Sequence, residues 1–389
     1  MMIKTVNLGE LISPAKVRRC NDGEYPVLSM TMHDGIVLQS ERFKKSLASL
    51  DQSNYKVVSR GQLVVGFPID EGVIYVQNAA DEGIMSPAYG VWDIHAEKVL
   101  PEYLECCLHS PQSMSYYLSK LKGTTARRRS ITTEDLLSLP ISQPDKSEQR
   151  RRLSLLSSCK DTISKSEQQL AKLDELVKAR FIELFGDPVQ NPMGWKIETL
   201  KKATTKIGSG ATPKGGKESY QTEGITLIRS MNVHDGRFEY KDLAHITDEQ
   251  AKQLENSTVK ENDVFINITG ASVARSCIVP KHILPARVNQ HVAIIRCITS
   301  MLHPVFANQM FLNTSFKGQL LDIGESGGAT RQAITKQQLE TLDIILPPLE
   351  LQKQFAAFVE QTDKSKLAVQ QSLEKLETLK KSLMQQYFG

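Results

Sequence analysis

KSEQRRRLSLLSSCKDTISKSEQQLAKLDELVKARFIELFG, residues Lys146 to Gly186, decides how this chain is organised. The stretch has no proline and no internal glycine, and it is dense in Leu, Lys, Glu and Gln, all good helix formers. Leu156, Ile163, Leu170, Val177 and Leu184 recur every seven residues, with Leu173 beside them, so one apolar seam stays on the same side of a long helix. An apolar seam flanked by charge is the pattern of a helix that pairs with another helix. At about 1.5 Å per residue such a helix runs roughly 60 Å, too long for an ordinary globular domain. The plainer alternative is a solvated connector, and the rest of the chain discriminates.

Outward from that helix, 389 residues imply two or three domains with proper cores. Hydrophobic content of 40% and charged content of 24% place the chain among soluble globular proteins. A net charge of +4 permits nucleic-acid binding without arguing for it, so any basic surface has to be local. The six cysteines make no CxxC pair, which reads as reduced thiols and argues against a disulfide framework or a zinc site. The eight histidines are scattered without ligand spacing, so no metal is expected. The N-terminal MMIKTVNLGELI lacks a signal-peptide apolar region, and no apolar run reaches membrane-spanning length, so a cytoplasmic protein with no membrane partner is expected.

Residues 1–145 read as mixed α/β. Lys56–Phe67 and Gly72–Gln77 are strand-like, Leu100–Leu121 is helical with an interruption near Pro111, and a basic turn, KGTTARRRSI, spans Lys122–Ile131. After Gly186, Pro188 and Pro192 stop the helix. A second region repeats the style, with strands expected in Gly224–Val233, Asn262–Thr269 and His291–Ile298. A helix is expected over His303–Ile323, before a Gly-rich turn, GESGGATRQAI. Pro347–Gly389 then forms a second long helix, with Phe355, Thr362, Val369, Leu376 and Leu383 as its seam and Leu373 alongside. The expected boundaries are a first globule at 1–145, a helix at 146–186, a second globule at 187–346 and a helix at 347–389.

The two halves are copies. Gly389 lies 203 residues after Gly186, and the same offset places Phe388 on Phe185 and Gln352 on Gln149. It also sets Pro347 on Pro144, Ile334-Thr335 on Ile131-Thr132, Arg331 on Arg128 and Phe306 on Tyr103. One offset held over about a hundred residues signals a tandem duplication of a globule-plus-helix module. The match decays toward the start of each globule.

Two globules each followed by a long amphipathic helix, with Phe185, Gly186, Asp187, Pro188, Asn191, Pro192, Gly194 and Trp195 after the first, resemble the specificity subunit of type I restriction–modification enzymes. Pro347, Pro348, Glu350 and Gln352, together with Gly208–Pro213 and Gly327–Ile334, extend the resemblance over essentially the whole chain. It implies a mixed α/β (α+β) fold with two target-recognition domains, and two helices pairing as an antiparallel coiled-coil spacer with pseudo-two-fold symmetry. It also implies that each globule reads half of a split sequence in double-stranded DNA. Two adenine-N6 methyltransferase subunits would dock on it, with restriction/translocase subunits in the full enzyme. S-adenosylmethionine and ATP with magnesium would sit on those partners, and this chain would bind no cofactor. The first globule departs from the pattern, with one glycine in its basic turn where the second has two.

The residues agree with a non-catalytic role. The only Pro-Pro, LPPLE, is flanked by Leu346 and Leu349, unlike the aromatic-ended loop of amino-methyltransferases. GATPKGGKES fails as a phosphate loop because Ala211 and Glu218 stand where glycine and Ser or Thr are needed. No carboxylate pair such as Asp70 and Glu71 is followed by the Glu-x-Lys of a nuclease. The Gly-rich stretches read better as loops approaching DNA, with Lys214, Lys217 and Arg331 opposite phosphates. Thr212, Arg229, Asn232 and Gln332 are of types that read base edges. Arg127, Arg128 and Arg129 form the sharpest basic cluster of the first globule. Arg150, Arg151 and Arg152 sit where a helix N-terminus disfavours positive charge, which points to phosphate or to a partner. Two rivals remain at this level: a self-contained DNA-modifying enzyme and a coiled-coil adaptor that binds no DNA.

Overall fold

The computed structural model describes residues 4–21, 23–32, 34–42, 52–121, 129–325 and 332–388. The two long helices are there, Lys146–Phe185 and Leu349–Phe388, each of 40 residues. Asp145 caps the first, its carboxylate accepting the Ser147 hydroxyl at 2.6 Å and the Glu148 amide at 2.9 Å. Gly186 ends it in the left-handed region at φ 72°, where a Cβ would meet the Pro192 ring at 2.6 Å.

The chain folds as two compact units, 1–167 with 371–389, and 168–370, so each long helix is shared between the units, about half its length in each. In the first unit the start of the first helix lies against the end of the second, with Cys159 Sγ 3.6 Å from the Leu376 carbonyl. In the second unit the end of the first helix meets the start of the second, where Lys366 reaches Asp174 at 2.6 Å. Both arrangements are antiparallel. Leu156, Ile163, Val177 and Phe355 are buried on the seam, and Leu170, Leu173, Leu184, Val369, Leu373, Leu376 and Leu383 are half-buried.

Each globule thus receives the end of the other module's helix. Phe388 packs on Tyr103 with ring centroids 5.2 Å apart, and Phe185 packs on Phe306 at 4.7 Å. A buried glutamine closes each junction. Gln149 Oε1 accepts the Leu100 amide at 2.9 Å while its Nε2 donates to the Pro144 carbonyl at 2.8 Å. Gln352 repeats both bonds with His303 and Pro347, each at 2.8 Å, and adds one to the Met301 carbonyl at 3.1 Å. These partners stand 203 residues apart, so the duplication extends to individual hydrogen bonds.

The junctions differ at one place. Arg152, only 4% exposed, donates to the Tyr387 carbonyl at 2.6 Å and pairs with Glu148 at 2.9 Å. Arg151 and Arg152 also lie 5.4 and 5.1 Å from the Tyr387 ring centroid, and their guanidiniums hold the Glu148 carboxyl down to about 2. Two of the three arginines at the start of the first helix therefore serve the C-terminal end of the second, where a cation is favoured. In the second unit the equivalent of Arg152 is Phe355, inside a cluster with Phe181, Phe185 and Phe306.

The globules share a frame that the sequence offset reaches only in part. In the first, a four-stranded antiparallel sheet runs Ile12–Pro14, Gly90–Ile94, Leu63–Val65, Ile74–Val76. In the second, Thr204–Ser209, Val292–Cys297, Val264–Asn267 and Ser276–Ile278 follow the same order. Ile12 faces Ile94 as Thr204 faces Cys297. The separation is still 203 between Ile94 and Cys297 and falls to 192 between Ile12 and Thr204, which is where the sequence match decays. Entry strands behave alike, Lys4–Asn7 pairing with Pro140–Gln143 and Lys196–Thr199 with Asp343–Leu346.

Beyond the frame the globules diverge. The first adds two antiparallel pairs, Leu28–Met30 with Ile36–Leu38 and Lys56–Ser59 with Glu82–Met85. The second adds a three-stranded sheet in which Ile225–Ile228 pairs in parallel with Ala286–Val288. Two sequence expectations need refinement. Lys56–Phe67 holds two strands, because Gly61 turns the chain at φ 85°. His303–Ile323 breaks into Pro304–Leu312 and Thr314–Glu325, since the Asn313 side chain accepts the Ser315 amide at 3.0 Å and restarts the helix. Among the described residues no helix is long and apolar enough to cross a membrane.

Candidate nucleic-acid interface

In the second unit the frame sheet brings together the Gly-rich stretches that the sequence singles out. Thr204–Ser209 carries the chain through Gly208 to Gly210, where a Cβ would lie 1.7 Å from the Val288 carbonyl, so only glycine fits. The Thr212 hydroxyl then donates to Gln290 Oε1 at 2.5 Å. Gln290 lies in the turn before the Val292–Cys297 strand, and its neighbour His291 hydrogen-bonds the Thr269 hydroxyl. Thr269 bridges to Ala333, and the Gly270 amide donates to the Gln332 carbonyl at 2.9 Å. Residues 210–217, 269–270, 289–291 and 332–333 thus form one continuous surface on the ends of the frame strands.

The sequence-predicted residues distribute unevenly over this surface. Lys214 and Lys217 are exposed, and their side chains make no ion pair among the described residues, as phosphate contacts require. Thr212 is exposed beside Gln290. Arg229 lies 5.4 Å from the ring centroid of Tyr220 and donates to the Asp242 carbonyl, which fixes its guanidinium. Asn232 does not belong to the surface. It is 0% exposed, its Oδ1 accepts the Arg229 amide at 3.0 Å, and its Nδ2 donates to the Glu239 carbonyl at 2.9 Å. A buried amide with its bonds filled has nothing left to offer a base, so Asn232 is a turn-builder. Gln332 is half-buried, with Nε2 donating to Glu325 Oε1 at 2.7 Å. Arg331 lies outside the described residues.

In the first unit Arg127 and Arg128 lie outside the described residues, and Arg129 is held by acids. Its Nη1 pairs with Asp70, which is buried, and its Nη2 with Glu71 at 2.8 Å. The two carboxylates weighed for nuclease chemistry therefore serve to position an arginine. Sequence reasoning misses Thr269, Gln290 and His291. Their only signal is polar residues set immediately against the buried strands Val264–Asn267 and Val292–Cys297, in NITG and VNQHV.

Residues 192–379 match the type I restriction modification DNA specificity domain. That match covers 188 of 389 residues, just under half of the chain. The type I restriction enzyme EcoAI specificity subunit of Escherichia coli is 27% identical over 198 residues, 48% of this chain and 32% of that protein. The HindI specificity subunit of Haemophilus influenzae is 25% identical over 223 residues, 54% of this chain and 48% of that protein. The chain thus spans about a third to about a half of these curated relatives' length. Among solved structures, a chain of a type I R-M system covers 99% of this chain and 97% of its own at a TM-score of 0.62 and 19% identity. The S subunit of a type I restriction-modification system from M. genitalium covers 99% and 96% at a TM-score of 0.53 and 13% identity. At those identities the likeness to solved structures is one of fold.

Proposed function

We propose that this chain is the DNA-specificity subunit of a type I restriction–modification assembly, reading a bipartite target with its two globules. One observation carries the reading: the same four-stranded frame occurs in both units, each frame carrying a different additional sheet. A common frame with divergent additions suits two readers that perform one task on two different sequences. The paired helices act as the ruler between them. Binding of one half-site raises the effective concentration of the other reader at its own.

In this reading the chain carries no chemistry itself. Two adenine-N6 methyltransferase subunits dock on it with S-adenosylmethionine, and restriction subunits add ATP and magnesium. Lys214 and Lys217 contact phosphates, while Thr212 and Arg229 lie near base edges.

The proposal fixes a salt dependence. Each phosphate contact contributes about 0.9 to the slope of log affinity against log salt. Replacing both Lys214 and Lys217 by alanine should therefore lower that slope by roughly two and weaken binding to all duplexes alike. A binding titration of the chain with its methyltransferase partners across salt measures it. An unchanged slope would remove these lysines from the interface.

A further inference from the structure

Positions 129 and 332 are equivalent, 203 residues apart in the duplicated modules, yet one is arginine and the other glutamine. In both, a carboxylate from the same unit holds the side chain. Arg129 is gripped by Asp70 and Glu71, and Gln332 by Glu325. Both side chains remain partly open to solvent, Arg129 at 28%. The acids themselves are not equivalent, Asp70 standing 59 residues before its partner and Glu325 seven before its own, so what recurs is a donor side chain held by acid at one position of the duplicated module.

The donors that remain decide what each can do. A guanidinium has five N–H bonds. Arg129 Nε is buried without a partner, and Nη1 and Nη2 each spend one bond on a carboxylate. Among the described residues two N–H groups are left, one on each terminal nitrogen. That is the pair needed for the O6 and N7 acceptors of guanine in the major groove. The Gln332 amide spends one N–H on Glu325, which among the described residues leaves one N–H and the carbonyl oxygen. That is the donor–acceptor pair that matches N7 and N6 of adenine.

We infer that 129 and 332 are the paired specificity positions of the two globules, Arg129 selecting guanine in one half-site and Gln332 selecting adenine in the other. Asp70, Glu71 and Glu325 are positioning residues that hold these side chains in the reading geometry. The inference rests on the DNA-specificity reading above and names bases within it.

The test selects bound DNA from a duplex library with fully randomised sequence, using the chain together with its methyltransferase partners. Arg129→Lys keeps the charge and loses the fork. It should cost roughly tenfold to a hundredfold of the preference for one G·C pair in one half-site while the salt slope stays unchanged. Gln332→Ala should lose an A·T preference in the other half-site by a similar factor. The double variant Asp70→Asn with Glu71→Gln should relax the same G·C position as Arg129→Lys and no other. If the parent selects two half-sites and these variants keep both preferences intact, including with a uniform fall in affinity, the inference is overturned and the specificity reading stands. A parent chain that selects no sequence overturns both.

Discussion

Phe185→Ala should destabilise the second unit by about 3–5 kcal/mol, a large share of the roughly 5–15 kcal/mol that holds a typical domain together. The side chain is fully buried and lies 4.7 Å from Phe306, 5.5 Å from Phe355 and 5.1 Å from Phe181. Removing it opens a cavity among three rings that cannot collapse without moving two helices. Phe388→Ala, its equivalent in the first unit, should fall at the lower end of that range, because among the described residues Phe388 meets one ring, that of Tyr103. The chain supplies its own reporters. Trp92 belongs to the first unit, and Trp195, whose indole donates to the Phe185 carbonyl at 3.0 Å, to the second. Denaturant unfolding followed in single-tryptophan variants should show Phe185→Ala moving the Trp195 transition and Phe388→Ala the Trp92 transition. The same shift of both transitions by either variant would contradict the account of two units, each closed by its own aromatic plug.

Gln352→Leu should cost on the order of 3 kcal/mol or more, because it strands three backbone groups at about 1–3 kcal/mol each. The leucine is close in size and apolar, so the loss comes from the His303 amide and the Pro347 and Met301 carbonyls, which no longer have a partner in a fully buried site. Gln149→Leu strands two groups, the Leu100 amide and the Pro144 carbonyl, and should cost less. Thermal unfolding of the two variants orders them. A Gln352→Leu chain as stable as the parent would mean that the glutamine is not the fastening between globule and helix.

The junction residues are legible in the sequence, and much of what surrounds them is not. The seven-residue seam and the 203 offset are visible because forty-residue helices accumulate many matching positions, and Gln149 and Gln352 stand out as a matched pair. The frame sheet is not visible as a repeat, because its strands are only three to six residues long and the offset shifts within each globule. Among site residues, type alone places Asn232 with the base readers, and burial removes it. Lys214 and Lys217 stand out in the sequence as basic residues on either side of a Gly-Gly pair, and both are exposed. The Asp70–Glu71 clamp on Arg129 is not, since nearly sixty residues separate the partners and no local pattern encodes that pairing. Arg152 shows the same limit: its charge looks misplaced on its own helix and is well placed for the end of the other.

The central claim is that two duplicated readers on a helical ruler recognise a split DNA sequence. Sequencing the duplexes retained from a random library by the chain with its methyltransferase partners tests it most directly. The account predicts two short defined blocks separated by an undefined gap of constant length. A single uninterrupted block, or retention without sequence preference, would contradict it.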